Sequence, residues 1–351
     1  MGLRKLLGFV LIFIMILWAF TGCAENKPKG PISRTEFLMD TVIMLKIYDN
    51  SDEKILDEAM DRLIEIDNRM SVDIDTSDVS LVNKHAGIKP VKVSDDVYYV
   101  IKQAKEFAQL SNGAYEPTIG PLVELWNIKG TGRRERDSIP TEEQIREKMA
   151  LVDYSDLELM EDNFVYLNKK GMKLDLGGIA KGYAADEVKR IFKEHGVGNA
   201  IIDLGGNIYV LGERENGEPW KIGVQDPFQV TGNYIGILNA KDSSIVTSGN
   251  YERYFEYKGK RYHHIIDAKT GYPSDNEVSG VSIISDKSIE GDALSTALFV
   301  LGVEEGTKLM DKLEDIDAIF ITKDQKAIIQ EKLKDRFALT KDNFRLITIP
   351  Y

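Results

Sequence analysis

Asp292 and Thr296 stand four residues apart, a spacing that places both on one face of a helix. A carboxylate and a hydroxyl together suit a hard cation such as Mg2+, where phosphates and a backbone carbonyl complete its shell. Asp292 could equally cap a helix start with Thr296 packed beside it, so spacing alone leaves both readings open. A second group lies upstream, where Thr247-Ser-Gly-Asn-Tyr-Glu-Arg-Tyr254 is followed by His263-His264-Ile-Ile-Asp267. Neighbours in an extended segment face opposite ways, so at most one of these histidines serves a given site. A histidine with Asp267 as its orienting partner would be a general base, provided the chain turns between them. Zinc competes for the same residues, but the spacing is poor and no cysteine stands with them.

The third group is Leu174-Asp-Leu-Gly-Gly-Ile-Ala-Lys-Gly-Tyr-Ala-Ala-Asp-Glu-Val188, which reads as a buried strand end running into a helix. Gly177, Gly178, Ala180 and Gly182 strip side chains from the junction and leave Lys181 there. Amides at a helix start favour an anion, and a lysine adds charge. The P-loop pattern is not met, because Tyr183 follows Gly182 where lysine is required. No dinucleotide-binding glycine fingerprint opens an early strand–helix unit either. Asp175-Leu-Gly-Gly returns as Asp203-Leu-Gly-Gly after a helix-length interval. That spacing predicts a strand–helix–strand unit with both glycine pairs at one sheet edge. The pairs either form a slot where backbone meets a ligand or simply let the helix pack close to the strands.

These groups need elements to position them. A strand is expected over 42–48 and a helix over about 52–70, where Ile55, Ala59, Leu63 and Ile66 trace one stripe. A second helix is expected from Asp95 to Ser111, with Gly113 as its stop. Thr141 and Gln144 make a capping box after the polar loop 130–140. Short strands follow at 200–204, 208–211, 220–224 and 281–284, and a helix at about 292–301. Mixed helices and short strands predict an α+β fold rather than a regular doubly wound sheet.

A net charge of −12, with both signs interspersed, argues against a partner such as duplex nucleic acid, which needs a basic face. An anionic cofactor stays compatible, since one metal ion reverses a local field. Arg4 and Lys5 precede the apolar run Leu6–Phe20 and then Thr21-Gly22-Cys23, the pattern of a signal peptide. The chain's one cysteine follows the cut, as in a bacterial lipobox, with Phe20 where an aliphatic residue is usual. The competing reading is an uncleaved membrane anchor. Residues 1–22 are thus expected to be a lipoprotein signal peptide, and 23–33 a lipidated Cys23 with a polar tether. Both readings put the rest of the chain outside the cytoplasm, without a disulfide.

Eight stations occur in order: Met39-Asp-Thr, Met70-Ser, Gly113-Ala-Tyr-Glu-Pro-Thr-Ile-Gly, Leu174 to Tyr183, Asp203-Leu-Gly-Gly-Asn, Thr247-Ser-Gly-Asn-Tyr, His264-Ile-Ile-Asp-Ala-Lys-Thr-Gly and Asp292-Ala-Leu-Ser-Thr-Ala. Together they resemble the FAD:protein FMN transferase (ApbE) family, from Met39 to beyond Gly302. The resemblance implies an α+β fold with a T-fold-like core, and a single catalytic domain over 34–351. It implies FAD as substrate, Mg2+ as cofactor, and transfer of FMN to a threonine of a target protein with release of AMP. On matching positions the metal ligands are the carbonyl of Ala180 with Asp292 and Thr296. The FAD contacts are Met39, Asp73, Ala114, Tyr115, Glu116, Gly177, Tyr183 and Ile266, and His264 is the base. The implied partners are flavin-carrying subunits of membrane redox complexes of the Rnf or Na+-translocating NADH:quinone oxidoreductase type. Asp40 stands where glycine is common and Glu116 where aspartate is common. Asp73 replaces a frequent tyrosine, which leaves open an FAD pyrophosphatase giving FMN and AMP. A lipoprotein that only binds flavin is a separate alternative of a different class.

Overall fold

The computed structural model describes residues 30–128, 135–214 and 216–350. The expected signal peptide, Cys23 and most of the tether lie outside the described residues. Nine strands make one sheet whose spatial order follows the chain: β1 (Ile32–Leu38), β2 (Thr41–Ile47), β3 (Ala200–Leu204), β4 (Asn207–Leu211), β5 (Ser243–Gly249), β6 (Val278–Ser285), β7 (Asp317–Thr322), β8 (Lys326–Gln330) and β9 (Arg345–Ile349). Every neighbouring pair is antiparallel except β8 with β9.

Helices cover one face of the sheet. They include α1 (Glu53–Met70), α2 (Asp78–Lys84), α3 (Asp95–Leu110), α6 (Ala180–Glu194) and α7 (Ser288–Met310), while α4 (Gly120–Trp126) and α5 (Glu142–Met149) build a small core of their own. Ile43, Leu45 and Ile47 alternate along β2 and join the apolar stripes of α1, α3 and α6 in one core. The other face packs on a small sheet of Trp220–Gln225, Tyr234–Ala240 and Phe337–Leu339. Strand β6 is buried on both faces: Ile283 meets α7 while Ile284 meets the small sheet. The result is a single mixed α+β domain, as the patterning predicts.

Local signals explain the helix ends. Asp52 caps α1 by accepting from the Lys54 amide, and both halves of the Thr141–Gln144 capping box form. The Gly113 amide returns to the Ala108 carbonyl at 2.8 Å with φ +78°, ending α3 where glycine tolerates that conformation. The last helix departs from expectation. It starts at Ser288 rather than Asp292, because Asp186 of α6 accepts from the amides of Ser288 and Ile289 at 3.0 Å each. It also continues to Met310 through a break at Gly302, where the Glu277 carboxylate takes the Val303 amide and restarts the turn.

Candidate active site

The Leu174–Ile179 segment is not a strand of the main sheet. Its backbone is held by loops instead: the Asn83 side chain brackets Leu174 through both its N–H and its C=O, and the Asp175 amide donates to the Pro117 carbonyl. The expected strand–helix–strand unit is therefore corrected to an irregular segment, helix α6 and strand β3. The two glycine pairs also do different work. Gly205 and Gly206, at φ +66° and +94°, form the β3–β4 turn, where a Cβ on Gly205 would lie 1.8 Å from Thr41 Oγ1. Gly177 and Gly178 sit at the start of α6, and Gly177 donates to Asp175 Oδ1 at 2.8 Å.

Helix α7 closes this corner. A Cβ on Gly182 would meet the Ser288 carbonyl oxygen at 2.4 Å, so α6 and α7 touch backbone to backbone there. That approach lets Asp292, 4 % exposed, accept from the Gly182 amide at 2.9 Å. Asp292 is thus not the cap of its own helix; it caps α6 across the interface, while Asp186 of α6 caps α7. Thr296 lies one turn on, and its Oγ1 stands 3.3 Å from where a Gly178 Cβ would be. The Tyr115 ring approaches the same point at 3.3 Å, and its hydroxyl is buried with no hydrogen-bond partner. Burial lifts the Asp292 carboxyl above its usual range, while Lys181 and the amides of Gly182 and Lys181 pull it back. Burial, then Asp292 and Asp175, hold the Tyr115 phenol well above its ordinary value.

The turn after β5 supplies the third wall. His264 donates its amide to the Arg253 carbonyl at 3.0 Å, and its Nδ1 faces the same oxygen at 3.3 Å. A carbonyl only accepts, so that contact fixes the proton on Nδ1 and leaves Nε2 with a lone pair. Burial drives this imidazole down to about 3, with His263 and Arg253 repelling the charged form further. His263 points the other way, into the edge of Phe299, with Nε2 on the Ser274 carbonyl at 2.8 Å. The two histidines do face opposite sides. Asp267 is not the orienting partner; its carboxylate takes the Lys269 amide, and the Arg253 carbonyl does the orienting. Glu252 is lifted by burial to about 7, against the pull of Lys181 and Arg253.

The donor set fits a hard cation: one buried carboxylate, one hydroxyl and the carbonyl end of Ala180, the first residue of α6. Among the described residues no three His, Cys, Asp or Glu side chains converge as a metal cluster. A single carboxylate therefore leaves most of such a shell to phosphate oxygens and water.

A match to the ApbE family covers residues 39–320. The chain belongs to the ApbE family. A FAD:protein FMN transferase of Klebsiella pneumoniae is 40% identical over 316 residues, covering 90% of this chain and 96% of the relative. One from Treponema pallidum is 32% identical over 353 residues, covering 95% and 96%. Among solved structures, the flavin transferase ApbE of Vibrio cholerae superposes with a TM-score of 0.75 at 28% identity, over 90% of this chain and 99% of that one. The ApbE protein of Thermotoga maritima gives 0.74 at 32% identity, over 83% and 94%. The chain is an enzyme of this flavin-transferase family.

The remaining residues that the ApbE resemblance implies are spread around the corner. Met39, with φ +53°, forms the β1–β2 turn together with Asp40. Asp73 is exposed after α1, close enough to raise Asp175. Ala114 and Tyr115 are buried in the loop after α3. Glu116 spends one carboxylate oxygen on its own loop, accepting from the Thr118 amide and hydroxyl, and the other on the Tyr154 amide beyond α5. Ile266 is 8 % exposed in a small core with Leu122, Trp126 and Phe255. The Tyr183 side chain points away from the corner, donating to Asp96 at 2.6 Å beside Arg62. Sequence reading assigned no role to Glu252 and Arg253. Their only signal was a charged pair in the Ser-Gly-Asn-Tyr turn.

Proposed function

We propose that this ApbE-family enzyme transfers the FMN half of FAD to a threonine hydroxyl of an acceptor protein and releases AMP. The observation that carries the reading is His264, neutral and held by the Arg253 carbonyl so that Nε2 is unprotonated. The threonine oxygen forms a bond to the phosphorus on the FMN side, the phosphorus–oxygen bond to the AMP phosphate breaks, and His264 Nε2 takes the hydroxyl proton. A free-protein value near 3 makes a weak base, but a bound pyrophosphate brings negative charge that raises it. Mg2+, held by Asp292, Thr296 and the Ala180 carbonyl, would supply charge neutralisation at the phosphates. Tyr115 and Ile266 are both buried and would help keep water from the reacting atoms. Gly177 leaves room for the cofactor to approach backbone.

The proposed setting is a lipid anchor on Cys23 that tethers domain 34–351 to a bacterial membrane outside the cytoplasm. Its acceptors there would be flavin-carrying subunits of Rnf-type or Na+-translocating NADH:quinone oxidoreductase complexes. Incubation with FAD, Mg2+ and a threonine-bearing acceptor should give AMP and a flavinylated peptide by mass spectrometry. Tight FAD binding with no AMP after long incubation would sink the enzymatic reading in favour of a flavin-binding lipoprotein. One observation favours a second reading. Asp73 is an exposed carboxylate, not an aromatic ring, within electrostatic reach of Asp175, which would let water compete. AMP and free FMN with an unlabelled acceptor would mark that pyrophosphatase.

A further inference from the structure

Two half-buried cations at the corner form no ion pair among the described residues, in contrast to a third nearby. Arg62, on the far side of α6, pairs with Glu65, Asp96 and Glu187. Arg253 is half-buried, yet its guanidinium makes one long contact, to the Asp40 carbonyl at 3.4 Å. Lys181 is half-buried, and its Nζ reaches the Gly177 carbonyl at 3.2 Å. Among the described residues neither forms an ion pair. Both nevertheless act on the same groups: Lys181 on Asp175, Glu252, Asp292 and His264, and Arg253 on Asp175, Glu252 and His264. The carboxylates do not use them up. Asp175 spends an oxygen on the Gly177 amide and Asp292 on the Gly182 amide.

An independent observation marks the same space. The Tyr115 hydroxyl is 97 % buried by residue, lacks a partner, and has Asp292 and Asp175 as its principal charged neighbours. A buried donor without an acceptor costs free energy that a bound ligand recovers. Lys181 reaches Gly177 while the Tyr115 ring packs against Gly178, and Asp175 is a charged neighbour of Lys181, Arg253 and Tyr115 alike. Guanidinium and ammonium groups without an ion pair, together with an orphan hydroxyl, suit a multiply charged oxyanion.

We propose that Lys181 and Arg253 form a two-cation clamp, completed by the Tyr115 hydroxyl, that grips the pyrophosphate and selects the dinucleotide over flavins lacking it. This deepens the proposed function and rests on it for the identity of the ligand. The pair would act as a specificity device: riboflavin offers the clamp nothing, FMN one phosphate, and FAD two. Arg253 joins the clamp to the chemistry, because its carbonyl fixes the His264 tautomer while its side chain would grip the anion.

The test is equilibrium binding without metal, by flavin fluorescence in EDTA, for FAD, FMN and riboflavin. Arg253→Met and Lys181→Met should each weaken FAD by about 10- to 100-fold and leave riboflavin unchanged, with Arg253→Lys recovering part of the loss. Rising salt should weaken FAD more in the wild type than in either variant. Equal losses for FAD and riboflavin, or an unchanged FAD affinity, would overturn the clamp. So would a wild type that binds FAD no better than riboflavin in EDTA. A variant that melts early is replaced by its partner, since each cation is tested alone. The proposed transfer fails separately, by absence of AMP when Mg2+ and acceptor are present.

Discussion

Gly182→Ala sets two effects of opposite sign against each other. Alanine at the third position of α6 should stabilise the helix by about 1 kcal/mol. The added Cβ, however, would lie 2.4 Å from the Ser288 carbonyl oxygen, 2.6 Å from Ile289 Cα and 2.7 Å from Ser288 C. These are backbone atoms, which cannot swing aside as a side-chain tip would. Restoring ordinary contact requires α6 and α7 to part by roughly 1 Å, and overpacking of that kind costs about 1–3 kcal/mol. Sterics should win, with a net loss of about 1–2 kcal/mol and a fall in melting temperature of about 2–6 °C. The same shift stretches the Gly182 amide to Asp292 contact from 2.9 Å past hydrogen-bond range. Activity should therefore fall about 100-fold while the protein stays folded at assay temperature. Differential scanning fluorimetry and AMP release by chromatography read the two effects. Gly280→Ala, where the nearest atoms lie 3.8 Å away, is the control and should change stability by less than about 1 kcal/mol. A Gly182→Ala protein that melts at or above the wild type with full AMP release would refute the close-contact argument.

Three further outcomes follow from the same geometry. Asp292→Asn keeps the acceptor for the Gly182 amide but loses the charge, so AMP release should drop at least about 100-fold with little change in melting, and added Mg2+ should not restore it. Glu116→Gln replaces one acceptor oxygen by an NH2 donor that faces the donors of Thr118 or Tyr154, costing about 2 kcal/mol by urea titration and loosening the Ala114–Tyr115 loop; wild-type stability would remove Glu116 as the loop's staple. His263, held by burial at about 4 against an ordinary 6.5, contributes stability that is present above pH 6.5 and lost as pH falls through 4. That contribution amounts to about 3 kcal/mol, so His263→Gln should show a shallower pH dependence by up to about 1.4 kcal/mol per unit; parallel urea curves at pH 7, 5.5 and 4.5 would contradict this.

Where burial repeats with the period of the element, the chain was legible without coordinates. The stripe Ile55, Ala59, Leu63 and Ile66, the Gly113 stop and the Thr141–Gln144 box all form as read. The pairing of Asp292 with Thr296 on one helical face was also visible, because a four-residue spacing needs no tertiary knowledge. The errors arose where partners come from distant chain. Leu174–Leu176 has strand-like composition, but Asn83 and Pro117 take its hydrogen bonds, leaving no sheet for it to join. Asp292 looked like a local cap because its true partner, the Gly182 amide, is invisible to any local window. Proximity in sequence pairs one of the two histidines with Asp267, whereas the turn brings His264 to the Arg253 carbonyl. Arg253 and Glu252 carried no period at all, and only folding places them beside Lys181.

The mutual capping of α6 and α7 also bears on the order in which the protein becomes competent. Gly182 and Asp292 are 110 positions apart, and Asp186 and Ser288 are 102 apart. A ribosome releasing the chain from its N-terminus delivers α6 long before either latch can close. The strands β1 to β4 and helix α1 all precede α7 in the chain, and the corner between α6 and α7 cannot close until residue 292 has emerged. Premature termination anywhere before that point yields a polypeptide with no closed corner, so truncated products are barred from half-activity by the wiring itself.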